Sequence, residues 1–205
     1  MRRDEAEVEF YWSRVLPSAL RKIAKLLKKG RKVALIFVDE SIFELTYRLS
    51  RVWTRSRRVF YEYRWDKREK VVAFGGVDLE GRITLRTYER ANNTNFLNWL
   101  SYVAWRYRSH HVVYVFLDNA GYHSLIRTPG RFSAPKFRLV YIPRYAPECD
   151  FAEEIWKVIK RELGYIYFKS GKELAETITK FDGQVRPNIL QKVRNMLEAI
   201  SKGKN

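Results

Sequence analysis

The sequence predicts an α/β domain, a mixed sheet flanked by helices. Three observations lead there. Val33 to Val38 (VALIFV) and Val112 to Leu117 (VVYVFL) are unbroken apolar runs, of the length and composition of strands covered on both faces. Between them lie alternating segments joined by a turn, the pattern of an antiparallel meander. An amphipathic stretch then leads into the second run, and a helical crossover makes the two runs parallel neighbours in one sheet. The 205 residues are 46% hydrophobic and 15% aromatic, enough for one domain with a sizeable core and too apolar for disorder.

Residues 4 to 29 read as a helix with Ala6, Phe10, Val15, Leu20, Ile23, Leu26 and Leu27 on its apolar side. Pro17 is expected to break it in two and Gly30 to end it. After the first strand and Asp39, Phe43 to Thr54 reads as a second strand, and Arg55 to Arg58 as a basic turn. Residues 70 to 78 and 82 to 88 form a hairpin across Leu79-Glu80-Gly81. Asn92 to Tyr107 is a helix with Phe96, Leu97, Leu100, Val103, Ala104 and Tyr107 on one stripe, capped by Asn92 or Asn93. Phe137 to Ile142 is a further short strand ended by Pro143. Helices are expected over 151 to 163, 172 to 181 and 188 to 201, with Pro187 opening the last.

A net charge of +17 points to a polyanionic partner, and nucleic acid fits it best. No apolar run reaches bilayer length and no signal peptide opens the chain, so neither a membrane nor export is expected. With one cysteine the chain forms no disulfide of its own, and with three histidines beside it a structural zinc site is not expected.

Both apolar runs end in acid: Asp39-Glu40 after the first, Asp118-Asn119 after the second. Parallel neighbouring strands would set Asp39 and Asp118 side by side at the edge where open α/β sheets carry their chemistry. A third acid comes from the helix after Pro147. Its stripe is Ala152, Ile155, Trp156, Ile159 and Leu163, which turns Glu153 to the rim of the core-facing side and Glu154 to solvent. Lys157 and Lys160 share that flank and suit phosphates, while Asp150 stands where a helix cap would. Three converging carboxylates repel one another. Magnesium removes the conflict, because it takes carboxylate oxygens and completes its shell with water and phosphate. Two such ions clamp the attacking and leaving oxygens of a phosphoryl displacement. The expectation is metal-dependent phosphodiester chemistry on nucleic acid. Each acid also has a plainer reading. A strand-end aspartate is commonly a turn residue, and Glu153 has the spacing of a capping box with Asp150 and of an ion pair with Lys157.

Phe37-Val38-Asp39-Glu40-Ser41, Leu117-Asp118-Asn119-Ala120 with His123, and Ile142-Pro143-Arg144-Tyr145-Ala146-Pro147-Glu148 leading to Glu153 and Trp156 resemble the catalytic core of insertion-sequence transposases of the Tc–mariner superfamily of DDE endonucleases. The interval between Asp118 and Glu153, positions 119 to 152, is the family's, and Val52-Trp53-Thr54 looks like its Trp motif. The resemblance implies an RNase H-like fold, a mixed five-stranded sheet flanked by helices. It implies Asp39, Asp118 and Glu153 as catalytic ligands of two Mg²⁺ or Mn²⁺ ions, with Glu40, Asn119 and His123 around them. DNA contacts are expected from Arg55, Arg57, Arg58, Arg144, Lys157 and Lys160. The implied activity is cleavage at transposon ends and transfer of the 3′-OH into target DNA by a homodimer, in a prokaryotic cytoplasm at the nucleoid. Ala146, Asp150-Phe151 and Ala152 depart from the family's Ser, Asn-Pro and aliphatic residue. The family's helix-turn-helix modules are not seen ahead of the core. Residues 1 to 30 are therefore read as a helical segment, the remnant of a linker, and 31 to 205 as the catalytic domain, with a separate DNA-binding polypeptide as a partner. The alternatives are an RNase H-like nuclease on other substrates, or a DNA-binding remnant without activity.

Overall fold

Successive strand residues face opposite sides, and the core of this protein is sorted accordingly. In the computed structural model, which describes residues 3–45, 69–118, 137–146, 149–164, 166, 168–191, 195 and 198, β1 spans Val33–Glu44. Its Leu35 and Phe37 enter one apolar cluster, while Ile36 and Val38 enter another on the far side. Four further strands complete the sheet: β2 (Lys70–Asp78), β3 (Ile83–Tyr88), β4 (Val112–Leu117) and β5 (Phe137–Tyr141). Their order is β3-β2-β1-β4-β5, with β3, β2 and β1 antiparallel and β1, β4 and β5 parallel. This is the mixed five-stranded sheet expected from the sequence.

One face carries α1 (Glu5–Phe10), α2 (Leu16–Lys28), α4 (Glu153–Leu163) and α5 (Gly171–Thr179); the other carries α3 (Asn93–Arg106). Asn92 caps α3, its side chain accepting from Asn95 N at 2.9 Å. Phe96, Trp99, Leu100 and Val103 of α3 are buried against Phe74 and the strands beneath. Asp182, just past α5, closes the β3 edge. It accepts from Leu85 N at 2.8 Å and pairs with Arg106 at 3.0 Å, so the outer strand is tied to both helical layers.

Several expectations change. Pro17 does not break the first helix. A π-helical turn, Tyr11–Val15, joins α1 to α2, and Leu16 N–H reaches back to the Tyr11 carbonyl. The wide turn makes room for a proline ring that would otherwise meet a carbonyl four residues earlier. β1 does not stop at Asp39: residues Asp39 to Glu44 continue to pair with Gly75 to Lys70 of β2. Phe43 therefore belongs to β1 and not to a second strand, and 46–68, with Trp53, lies outside the described residues. The apolar run ends earlier than the strand because β4 stops at Leu117, leaving the second half of β1 paired on one side only. The final helix is described over 187–191 and at 195 and 198.

Candidate active site

β1 and β4 run in parallel register, Val38 opposite Leu117, so Asp39 and Asp118 are the next position on each. Phe37 and Phe116 lie in the core cluster beneath α4, their rings 4.9 Å apart. Two residues further along each strand, Asp39 and Asp118 fall on that same face. Both are half-buried, in the notch where β4 has ended and β1 continues.

Asp39 is fixed from above by α4. The Trp156 indole N–H donates to Asp39 Oδ2 at 2.8 Å. The indole can lie that low because Asp39's partner across the β1–β2 ladder is Gly75. A Cβ there would meet the Trp156 ring at 2.5 Å. Glycine inside a strand often marks such a close approach. Phe43 flanks the indole edge-on at 6.1 Å, and Lys160 Nζ lies 5.7 Å from the Phe43 ring.

Glu153 opens α4 and is half-buried, as the helix stripe requires. Burial raises the Asp39 carboxyl to about 6; the Trp156 and Glu40 N–H groups oppose that, and the charges of Asp118 and Glu153 add to it. The three predicted acids thus share one electrostatic neighbourhood. Among the described residues, though, no three His, Cys, Asp or Glu side chains are gathered tightly enough to hold an ion as they stand. The donor set still fits a hard divalent cation in kind, since it is all carboxylate and its members disfavour one another's charge.

Glu154 is corrected: its side chain is only 18% exposed and pairs with Lys157 at 2.8 Å. That pair replaces the Glu153–Lys157 contact the spacing allowed. α4 begins two residues later than expected, at Glu153. Glu40, expected around the metal ligands, is half-buried. Lys157 is exposed and Lys160 half-buried on the same helix; Arg144 is exposed in the loop after β5. Beside Arg144, Tyr145 takes a left-handed φ of 56° and is exposed. Asn119, His123, Arg55, Arg57 and Arg58 lie outside the described residues.

Asp150 was not singled out as a site residue, and it belongs here. Its Oδ1 accepts from Ala152 N at 2.8 Å in a turn ahead of α4, so it does not cap the helix itself. Burial holds its carboxyl well above the ordinary range, and the charges of Asp39, Asp118 and Glu153 push the same way. Tyr11, from the π-helical turn, is buried with its hydroxyl unpartnered among the described residues, and burial together with Cys149 and Asp150 raises its proton affinity. The one cue in the sequence was an aspartate where the resembling family carries asparagine.

A cavity of about 350 Å³ opens at the other end of the sheet, between Val33, Asp78, Arg82 and His110. Its buried carboxylate, Asp78, accepts from Glu80 N, Arg82 N and the Tyr107 hydroxyl at 2.9 Å each, a turn-closing role far from the acids. No helix among the described residues is long and apolar enough to cross a membrane.

The family model described as DDE superfamily endonuclease matches residues 34–175, from β1 into α5. Among solved structures, the Mos1 strand transfer complex aligns with a TM-score of 0.65 at 14% identity, over 98% of this chain and 62% of that one. The mariner Mos1 paired end complex with Mg gives 0.64 at 14% identity, covering 100% and 64%. The catalytic domain of Mos1 mariner transposase gives 0.58 at 12% identity, covering 98% and 94%. The chain therefore spans less than two thirds of the longer Mos1 chains but nearly the whole of their catalytic domain, and the likeness is one of fold, the RNase H-like sheet. No curated protein matches the sequence. With the family model covering well over half of its length, the chain belongs to the DDE superfamily endonucleases.

Proposed function

We propose that this protein is the catalytic core of a transposase, hydrolysing DNA phosphodiesters at transposon ends and transferring the freed 3′-OH into target DNA. The observation that carries the reading is the meeting of Asp39 and Asp118, on parallel neighbouring strands, with Glu153 at the start of α4. Asp39, Asp118 and Glu153 are the proposed metal ligands, with Asp150 beside them. Two divalent ions, Mg²⁺ or Mn²⁺, held there would neutralise the acids' repulsion and stabilise the charge on the attacking and leaving oxygens of an in-line displacement.

The chain's own groups have distinct tasks. Trp156 holds one oxygen of Asp39 by its N–H, which fixes the carboxylate and leaves its other oxygen for a metal ion. The N-terminus of α4 adds a favourable field for anionic groups close to Glu153. Lys160, half-buried on α4, and Arg144, exposed in the loop after β5, are suited to phosphate oxygens. In the first step water attacks phosphorus, the P–O3′ bond breaks, and a 3′-OH and a 5′-phosphate remain. In the second that 3′-OH attacks a target phosphodiester, so one P–O bond forms as another breaks. The Mos1 paired-end complex with its left transposon end supports DNA as the partner, and a homodimer of this chain would hold two ends together. A separate DNA-binding polypeptide would add end selectivity without altering this chemistry.

Oligonucleotide assays with Mn²⁺ test the reading. A duplex with a free 3′-OH should be joined to plasmid, and an RNA–DNA hybrid should be cut no faster than DNA. Preferential hydrolysis of the hybrid with no joined product would instead make the protein an RNase H-like nuclease.

A further inference from the structure

Residues 10–38 contain eight Lys or Arg and no Asp or Glu. Close to half of the net +17 is concentrated in about a seventh of the chain. On α2, Leu16, Ala19 and Ile23 are buried in the core cluster under the sheet. At 100° per residue, Arg21, Lys25 and Lys28 stand on the opposite side, in line with Arg14 from the π-helical turn, and Lys22 flanks them. All five are exposed. A charge run is ordinarily just a solvated face, and such faces usually mix signs. Elsewhere on this protein they do: Lys70 pairs with Glu44, Arg106 with Asp182, Lys157 with Glu154 and Arg186 with Glu162. Among the described residues, none of the five on the stripe makes an ion pair. A rigid helix, anchored by three core residues, carries a row of unneutralised cations whose mutual repulsion the fold must bear.

The stripe is also aimed. α2 leads through Gly30 into β1 and packs back over the sheet, so its C-terminal end lies by the start of the strand and its N-terminal end toward the strand's middle. From Lys28 to Arg14 is about 21 Å at 1.5 Å per residue, and Val33 to Asp39 is about 20 Å of strand. Arg14 is therefore level with Asp39, and neighbouring Tyr11 lies within the field of Asp150. Lys28 is at the far end of the molecule.

We infer that this face of α2 is a docking track for the backbone of duplex DNA, leading away from the candidate active site along Arg14, Arg21, Lys25 and Lys28. The inference rests on the transposase reading and deepens it: it says where the DNA beside the scissile bond lies. The stripe's length corresponds to roughly six base pairs at 3.4 Å each. Charge complementarity selects a phosphate backbone over an apolar partner, and between Arg14 and Lys28 the stripe carries no aromatic residue on which unpaired bases could stack.

The test is fluorescence anisotropy with duplex DNA in chelator, so that binding is read without cleavage, over a series of salt concentrations. The stripe variant is Arg21→Gln, Lys25→Gln and Lys28→Gln together. Its control removes the same charge elsewhere, with Arg90→Gln, Lys172→Gln and Lys180→Gln. Glutamine matches lysine and arginine in helix propensity, so both should fold, which circular dichroism checks. The plot of log affinity against log salt should flatten by roughly 0.9 for each stripe cation removed, and much less in the control. The difference should vanish for duplexes much shorter than the stripe. A stripe variant whose slope equals the control's overturns the inference while leaving the transposase reading standing. So does one that changes only self-association in sedimentation, which would make the occupant a second copy. Failure of the unmodified protein to bind duplex DNA at all overturns both.

Discussion

Asp39 is the residue whose surroundings say most about the site. Burial lifts its carboxyl from the ordinary 3.8 to about 6, with Asp118 and Glu153 adding to the effect. The folded chain then holds the proton more tightly than the unfolded chain does. The stability attached to that proton is complete below the unfolded value of 3.8 and is lost as the pH rises through about 6. A divalent cation takes the proton's place, since carboxylate ligands must be ionised to bind it. The melting temperature without metal should therefore fall between about pH 4 and pH 7, and Mg²⁺ or Mn²⁺ should raise it at the upper end and hardly at the lower. Scanning calorimetry in matched buffers reads both. A melting temperature that rises through this interval, with the ion making no difference, contradicts the account.

At the scale of elements, the site depends on how closely α4 approaches the sheet, and Gly75 sets that distance. Gly75→Ala puts a methyl group into the Trp156 ring, and the backbone and ring must shift to relieve it. The expected cost is about 1–3 kcal/mol, as for overpacking elsewhere. Metal-dependent cleavage should drop further than that loss of fold explains, because Asp39 loses its indole partner. Denaturant titration beside cleavage at a temperature where the variant is fully folded separates the two effects. The same element explains what could be read from the sequence. Asp39 and Asp118 were legible as neighbours because a helical crossover makes strands parallel and side chains alternate with period two. Glu153 was legible because its angle on the helix follows from Ile155, Trp156 and Ile159. The Trp156–Asp39 hydrogen bond joins elements over a hundred residues apart and leaves no local mark, except Gly75 in a strand. The partial burial of Glu154 was not legible, because the helix stripe gives the direction of a side chain and not what packs beside it. Asp150 escaped because its neighbourhood, with Asp39, Asp118 and Glu153 and within reach of Tyr11, is set by the packing of separate elements and not by local spacing. Pro17 misled for a related reason: a π-helical turn tolerates what a regular helix does not.

For the whole molecule, charge and fold are separable. The sheet order and the sorting of apolar side chains to two faces would survive without the basic surface, as they depend on alternation and crossover alone. The +17 instead concerns partners, and the helical layer over the active-site face carries a concentrated share of it. A protein built this way brings a polyanion to a cluster of acids that would repel it, which is workable only if cations intervene at the acids and along the approach. That arrangement predicts phosphodiester cleavage with strict metal dependence. The most direct measurement is plasmid nicking with Mn²⁺ or Mg²⁺ by the unmodified protein, Asp118→Ala, Glu153→Gln and Glu154→Ala, each confirmed as folded and DNA-binding. Nicking should fall to background in the first two variants and persist in the third, whose target is paired with Lys157. Equal activity in all four proteins, or loss in Glu154→Ala with Glu153→Gln unaffected, would contradict the assignment of the three acids.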